Sequence, residues 1–250
     1  MKYTGKKGFT LIELLVGMAL SAIAMIIIVS AYTIQVRSKN TQEVLTEMNQ
    51  AARAGFEMMT DEIHLAGLDP IGTATARIIT ADVGELIFSM DRGNGATNLS
   101  DGDCCDGNEV VRYHLSNDAD DDGVNENLAT GTQCDLGRAS GGGLDPAQGC
   151  GGVGFLQPLI RNVDVLNFVY LNADGNVIAP PVAAADLDTI HSIEITIVVR
   201  AGTVSSGFLY SFTNNDAYFN LQGTQILATQ GDAFRRLRLA TTIQCRNISN

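Results

Sequence analysis

The sequence contains no tryptophan and little positive charge. Its 250 residues include 16 Lys and Arg against 28 Asp and Glu, which gives a net charge of −12. Beyond the first eight residues the only basic run is Phe234-Arg235-Arg236-Leu237-Arg238, whose alternation suits a strand. Surfaces that bind nucleic acid normally carry a basic stripe. The composition therefore argues against a nucleic-acid partner.

Charge is almost absent from one long stretch near the N-terminus. Between Phe9 and Val36 only Glu13 is charged at neutral pH. A helix rises about 1.5 Å per residue, so roughly 20 apolar residues cross the hydrocarbon core of a bilayer. Three lysines precede the stretch, and flanking positive charge favours a cytoplasmic N-terminus. We expect one membrane span, followed by an exported domain.

This apolar stretch lacks the cleavage site of an ordinary signal peptide. Such a site follows the apolar run, whereas here the small residue Gly8 comes before it. Cleavage after Gly8 would remove only a basic leader and leave the apolar helix on the mature protein. A carboxylate inside a membrane span is costly and so indicates a function, which singles out Glu13.

The N-terminal residues resemble a known processing signal. Lys6-Lys7-Gly8-Phe9-Thr10-Leu11-Ile12-Glu13-Leu14-Leu15-Val16 is similar to the class III signal of type IV pilins and type II secretion pseudopilins. The resemblance implies cleavage between Gly8 and Phe9 by a prepilin peptidase, and methylation of the new N-terminus at Phe9. It also implies that Glu13 pairs with the N-terminal amine of a neighbouring subunit. A signal anchor with one tolerated glutamate is the alternative.

The rest of the chain predicts an α+β fold, with a long N-terminal helix packed on an antiparallel sheet. Apolar residues recur at three- and four-residue steps from Val44 to Ala66, and Gly67 and Pro70 end the pattern. The segments richest in strand-forming residues are 85–90, 108–116, 163–171, 176–179, 192–200 and 233–243. Glycine is concentrated in the middle of the chain, where we expect long loops.

Four segments follow from these patterns. Residues 1–8 form the cleaved leader, 9–36 the transmembrane and assembly helix, 37–68 an amphipathic stem helix, and 69–250 a β-rich globular domain. Pilin-like folds share this architecture, so the resemblance and the pattern predict the same fold.

Three segments resemble PilW-type minor pilins: residues 52–70, 165–177 and 235–244. J-type pseudopilins of type II secretion share much of this layout and are the close alternative. Both resemblances imply an inner-membrane protein, with its C-terminal domain in the periplasm, that enters a filament and helps to initiate or cap it. The implied partners are major and minor pilins, the prepilin peptidase, the inner-membrane assembly platform and a tip adhesin, with roles in twitching motility and cell adhesion.

An acidic run offers a second kind of site. Asp118-Ala119-Asp120-Asp121-Asp122-Gly123-Val124-Asn125-Glu126 matches the first half of an EF-hand calcium loop. In that pattern Asp118, Asp120, Asp122 and Glu126 supply carboxylates. The twelfth position is Ala129 instead of glutamate, which disfavours a true EF-hand and leaves an irregular calcium loop or a solvated acidic loop. A weaker acidic candidate is Asp101–Asp106. No cofactor is required.

The five cysteines fit an oxidising compartment better than a zinc site, because none forms a Cys-x-x-Cys pair. We expect Cys134 to pair with Cys150, or each of these two to pair with one of Cys104 and Cys105. Cys245 is the candidate for the unpaired thiol.

Two hypotheses from different classes follow. The first is a filament subunit, a minor pilin. The second is a membrane-anchored, calcium-dependent binding or adhesion module in which residues 101–150 are the working part. No nucleophile motif or phosphate-binding glycine loop is present, so we expect no enzymatic activity.

Overall fold

The computed structural model describes residues 8–93, 100–128, 130–143, 152–201 and 212–248. The chain divides into two compact units, one ending at Val44 and one covering Leu45–Asn250. The helix predicted for 9–68 is a single α-helix, α1, at Leu11–His64. The predicted transmembrane and stem segments are therefore continuous in secondary structure.

Capping contacts explain where α1 begins and where it ends. Thr10 precedes the first turn and exchanges hydrogen bonds with Glu13, an arrangement known as a capping box. No proline interrupts the sequence before Pro70. At the other end Gly67 adopts a φ of 77°, and the Asn247 amide donates to the carbonyls of His64 and Ala66. The C-terminal segment thus helps to cap the helix.

The first sheet is antiparallel and contains β1–β6. Its strands follow the order β1-β2-β3-β4-β5, and β6 pairs with β4. The bounds are Ile78–Ala81, Leu86–Ser89, Val110–Leu115, Leu136–Gly142, Gly152–Val153 and Gln157–Ile160. The predicted strands at 85–90 and 108–116 correspond to β2 and β3.

The second sheet is also antiparallel and has the order β12-β9-β7-β8. These strands cover Val163–Leu171 (β7), Val177–Ile178 (β8), Ser192–Arg200 (β9) and Arg236–Gln244 (β12). The four predictions for this sheet are confirmed. Asn172-Ala173-Asp174-Gly175 forms the predicted turn between β7 and β8, with Gly175 at a φ of 79°. A small pair, β10 at Tyr218–Phe219 and β11 at Gln225–Leu227, accompanies the sheet.

The core lies between the C-terminal part of α1 and the two sheets. Ala52, Met59 and Ile63 of the helix are fully buried among apolar residues of β1–β4, β7 and β9. β7 is buried along its whole length, which explains why its sequence is nearly continuously apolar instead of alternating. The predicted α+β architecture, with the helix covering antiparallel sheets, is confirmed for Leu45–Asn250.

The expectation of long glycine-rich loops in the middle of the chain is wrong at β4. Leu136–Gly142 forms the strand that joins β3 to both β5 and β6. Its glycines allow other main-chain segments to come close: a Cβ on Gly141 would lie 2.0 Å from the carbonyl oxygen of Gly152. The glycines here therefore permit tight packing of the sheet.

Candidate functional site

The processing residues predicted from the sequence lie at the exposed start of α1. Gly8, Phe9 and Thr10 precede the helix, and the Phe9 side chain is 91 % exposed. Oε2 of Glu13 accepts hydrogen bonds from the main-chain N–H and the hydroxyl of Thr10, both at 2.9 Å. The Glu13 N–H donates back to the Thr10 hydroxyl at 3.3 Å. Glu13 therefore has a local partner within its own helix turn.

The helix that follows presents apolar side chains outward. Fifteen large apolar residues between Leu11 and Ile34 are more than half exposed. By length and composition α1 is the one helix in the described part of the chain that qualifies to cross a membrane. A contiguous exposed apolar surface of this kind indicates contact with lipid or with other helices.

The acidic loop 118–126 brings together three of its four predicted ligands. Asp118, Asp120 and Glu126 each place a carboxylate oxygen within 4.8 Å of the others. Asp118 is 6 % exposed; its Oδ2 accepts the Gly123 N–H at 2.8 Å, and its Oδ1 is buried without a hydrogen-bond partner. Ala129, the twelfth position, lies outside the described residues.

Asp122, the fourth ligand predicted from the alternating spacing, lies outside this cluster. Its Oδ1 accepts the N–H of Val124 at 2.7 Å and so closes a local turn. The loop is fixed on β7 by a bridge between Val124 and Val165. Gly123 makes this close approach possible, because a Cβ there would lie 2.0 Å from the Leu166 carbonyl oxygen.

The electrostatics of the loop depend on the burial of Asp118. Burial raises the pKa of this carboxyl, while the Gly123 N–H and the nearby His114 oppose the rise. Nε2 of His114 lies 2.8 Å from Oδ1 of Asp121. The neighbouring carboxylates of Asp121 and Asp122 raise the pKa of Asp118 further. A bound cation would relieve this repulsion.

A second acidic cluster lies between β2 and β3, and sequence reasoning found only part of it. The expected candidate was the run Asp101–Asp106, but only Asp101 of that run joins the cluster. Its other members are Asp91 and Glu109, with one oxygen of each carboxylate within 4.8 Å of the others. The missed signal was a pair of acidic residues next to the apolar parts of two strand segments: Asp91 follows Met90, and Glu109 precedes Val110.

The cysteine predictions are partly wrong. Cys105 is disulfide-bonded, but Cys104 and Cys134 are free thiols. Cys134 is fully buried in the core just before β4, and the Cys104 Sγ donates to the Ala74 carbonyl at 3.6 Å. Cys245 is also a buried free thiol, as expected. Because Cys134 is free, both pairings proposed for it are wrong. Cys150 lies outside the described residues.

Comparison with known families defines the class of the N-terminal region. Residues 4–29 match the model of the prokaryotic N-terminal methylation motif. The prediction of a prepilin-type signal is confirmed by this match, which covers five of the eight leader residues, Phe9, Glu13 and most of the apolar segment. Comparison with curated protein sequences gives no significant match.

Among solved structures, the chain is similar to a type IV-like pilin from Thermus thermophilus. The two sequences are 9 % identical, and the TM-score is 0.48. The similarity covers 81 % of this chain and 98 % of the other.

Proposed function

We propose that this protein is a minor subunit of a type IV pilus. The observation that carries the proposal is the N-terminal methylation motif at residues 4–29, with Glu13 at the fifth position after Gly8. A prepilin peptidase cleaves between Gly8 and Phe9, the span anchors the subunit in the inner membrane, and the domain after the span is periplasmic. Its role is structural, in filament initiation or near the tip, together with other pilins and the assembly platform.

The chemistry of Glu13 supports an intersubunit role. Cleavage after Gly8 creates an amine at Phe9, which stays protonated after methylation. In the apolar surroundings of packed helices, a carboxylate and an ammonium group of adjacent subunits each relieve the cost of burying the other. Most large side chains around Glu13 are apolar and exposed, which suits burial against neighbouring helices. Pairing at this position would set the register between subunits.

The local capping box gives Glu13 a second possible role, which is to cap its own helix. Substitutions can separate helix capping from pairing with a neighbouring subunit. Gln at this position can still cap the helix, whereas it carries no charge. We expect Glu13→Gln to be cleaved normally but to enter filaments at least tenfold less than wild type, measured by immunoblot of sheared filaments. Thr10→Ala is the matched control, since it removes the cap and keeps the charge. Normal incorporation of Glu13→Gln with loss for Thr10→Ala would show that Glu13 only caps the helix.

A minor pilin and a type II secretion pseudopilin differ in the process that requires them, which is pilus formation in one case and secretion in the other. For a minor pilin we expect deletion of the gene to reduce surface pili and twitching motility while secretion continues. Loss of secretion with intact pili would identify a J-type pseudopilin instead. We place the subunit below the outermost position, because Glu13 is retained and a terminal subunit has no neighbour above it to pair with. A tip adhesin is the partner expected above it.

A calcium-dependent binding loop at 118–126 is the second candidate function. It is favoured by the buried, unpartnered Oδ1 of Asp118 beside the carboxylates of Asp120 and Glu126. Oxygen ligands of this kind suit calcium, which tolerates irregular coordination. The loop would then be the working part of an anchored binding or adhesion module.

Two substitutions in the same loop test this second function. We expect Asp120→Asn to weaken calcium binding by the full-length protein in detergent at least fivefold, measured by isothermal titration calorimetry. Asp122→Asn is the matched control: the asparagine oxygen can still accept the Val124 N–H, so only a distant charge is lost and affinity should fall less than about twofold. Equal effects of the two substitutions would contradict a site made of Asp118, Asp120 and Glu126.

A further inference from the structure

The buried acidic side chains in the described part of the chain fall into two groups. Three carboxylates have a side-chain donor: Glu62 with Arg138, Asp164 with Arg236, and Glu194 with Gln222. The other three accept hydrogen bonds only from main-chain N–H groups: Asp91, Glu109 and Asp118. A buried charge without a counter-charge is costly, so positive charge from outside the chain would stabilise the second group.

Asp91 is the most enclosed member of the second group. It lies just after β2 and is 0 % exposed. Its Oδ2 accepts the Gly102 N–H at 3.1 Å, and its Oδ1 is buried with no partner. The position is fixed by a main-chain hydrogen bond from the Asp91 N–H to the Leu68 carbonyl at 2.7 Å. The fold therefore holds in place a carboxylate oxygen whose lone pairs have no donor.

Glu109 is held in a similar way just before β3. It is 1 % exposed. Its Oε1 accepts the N–H groups of Arg92 and Gly93 at 3.1 Å each, and its Oε2 accepts the Asp106 N–H at 2.9 Å. Among the described residues no Lys, Arg or His side chain forms an ion pair with Asp91 or Glu109. Main-chain donors orient both carboxylates without neutralising them.

We propose that Asp91, Asp101 and Glu109 bind a divalent cation of the calcium type. Each contributes an oxygen to a group within 4.8 Å, and Asp101 is exposed, which leaves one side open for entry. All three ligands are carboxylate oxygens, which are preferred by hard cations. Calcium fits better than magnesium because it accepts irregular coordination and more oxygen ligands. This site is separate from loop 118–126 and independent of filament assembly.

The test uses the full-length protein in detergent and the thermal unfolding midpoint, Tm. All variants also carry Asp120→Asn, which reduces the contribution expected from loop 118–126 and keeps it the same in every comparison. We take a Kd of about 0.1 mM, as in extracellular calcium modules. At 1 mM calcium the ratio of folded to unfolded protein should then be roughly tenfold higher than in chelator, which corresponds to a rise of about 4 °C in Tm. Asp101→Asn should abolish most of that rise, and Asp103→Asn should leave it intact.

Asp103 is a matched control because it is an exposed acidic residue of the same segment but lies outside the cluster. No calcium-dependent rise in the Asp120→Asn background, or equal responses of the two variants, would overturn the proposal. An equal rise with magnesium chloride would overturn the assignment to a calcium-sized ion. Because Asp101 and Asp103 are exposed, neither substitution threatens folding.

Asp91→Asn provides a second readout without metal. It removes a buried charge and keeps the size of the side chain, so in chelator the Tm should rise above that of the Asp120→Asn parent. The same substitution should reduce the response to calcium. A lower Tm in chelator together with a full calcium response would contradict the role given to Asp91.

Discussion

Glu62 connects α1 to the first sheet through a buried polar contact. Its carboxylate accepts two hydrogen bonds from Arg138 of β4, both at 2.8 Å, and one from the hydroxyl of Tyr113 on β3. Glu62 is 7 % exposed. Burial, and next the negative charge of Glu62, raises the pKa of Tyr113, so the phenol remains a donor across the physiological range. This contact joins one helix residue to two neighbouring strands.

Replacing Glu62 should therefore be costly. In Glu62→Gln the Arg138 guanidinium stays partly buried and loses its counter-charge, so we expect a loss of about 3 kcal/mol in the free energy of unfolding. Chemical denaturation of the full-length protein in detergent measures the change. Glu57→Gln is the control, because Glu57 lies on the same helix and is exposed. A difference below about 1 kcal/mol between the two variants would contradict the importance of the buried contact.

At the residue level, the sequence predicted single residues and closely spaced residues better than sites whose residues are far apart in the chain. Glu13 was recognisable because nothing else in its segment is charged. Asp118, Asp120 and Glu126 were recognisable because their spacing is short and local. Asp91 and Glu109 were missed, because only the pairing of β2 with β3 brings together residues 18 positions apart. Asp122 lies outside the cluster, and its carboxylate accepts the Val124 N–H, a contact that the alternating spacing does not reveal.

At the level of secondary structure, β4 shows that a glycine-rich strand can form where propensity predicts a loop. Glycine weakens a strand unless another main chain must come close. A Cβ on Gly142 would lie 1.6 Å from the Cys105 carbonyl oxygen, and a main-chain atom cannot turn away as a side chain can. The helix and β7, β9 and β12 were predictable because their apolar patterns are long. β4 was not predictable, because its glycines are required by close contacts with other main-chain segments, and the sequence does not show these contacts.

Gly142→Ala should therefore destabilise the domain strongly. The new methyl group forces β4 and the Cys105 segment apart, which we expect to cost about 3 kcal/mol and to lower the Tm by about 6 to 12 °C. Circular dichroism during heating gives the measurement. The control is Gly107→Ala, since a Cβ there meets no atom within 4 Å. A Gly142→Ala protein that melts like the control would show that the two segments are not in tight contact.

At the scale of the whole molecule, the chain divides into an N-terminal helical unit and a domain with a self-contained core. In the described part of the unit ending at Val44, the large apolar residues from Phe9 to Ile34 are exposed. By contrast, all apolar residues that contribute to the main core, including those packed at its margin, lie at or after Met48. Burial of apolar surface is the main source of stability in a folded domain. The stability of residues 45–250 should therefore not depend on the unit that ends at Val44.

This division predicts that residues 45–250 fold alone. We expect the fragment to be soluble and monomeric in analytical ultracentrifugation, and to unfold cooperatively with a Tm within about 5 °C of that of the full-length protein in detergent. A fragment starting at Thr60 is the matched control: it lacks Ala52 and Met59, which are fully buried, and so should lose several kcal/mol of stability and fail to fold. If the 45–250 fragment aggregates or melts without cooperativity, the helix before Leu45 contributes to folding and the two units are energetically coupled. If the Thr60 fragment folds equally well, the core residues of α1 before Thr60 are dispensable, and Glu62 and Ile63 are enough to hold the end of the helix in place.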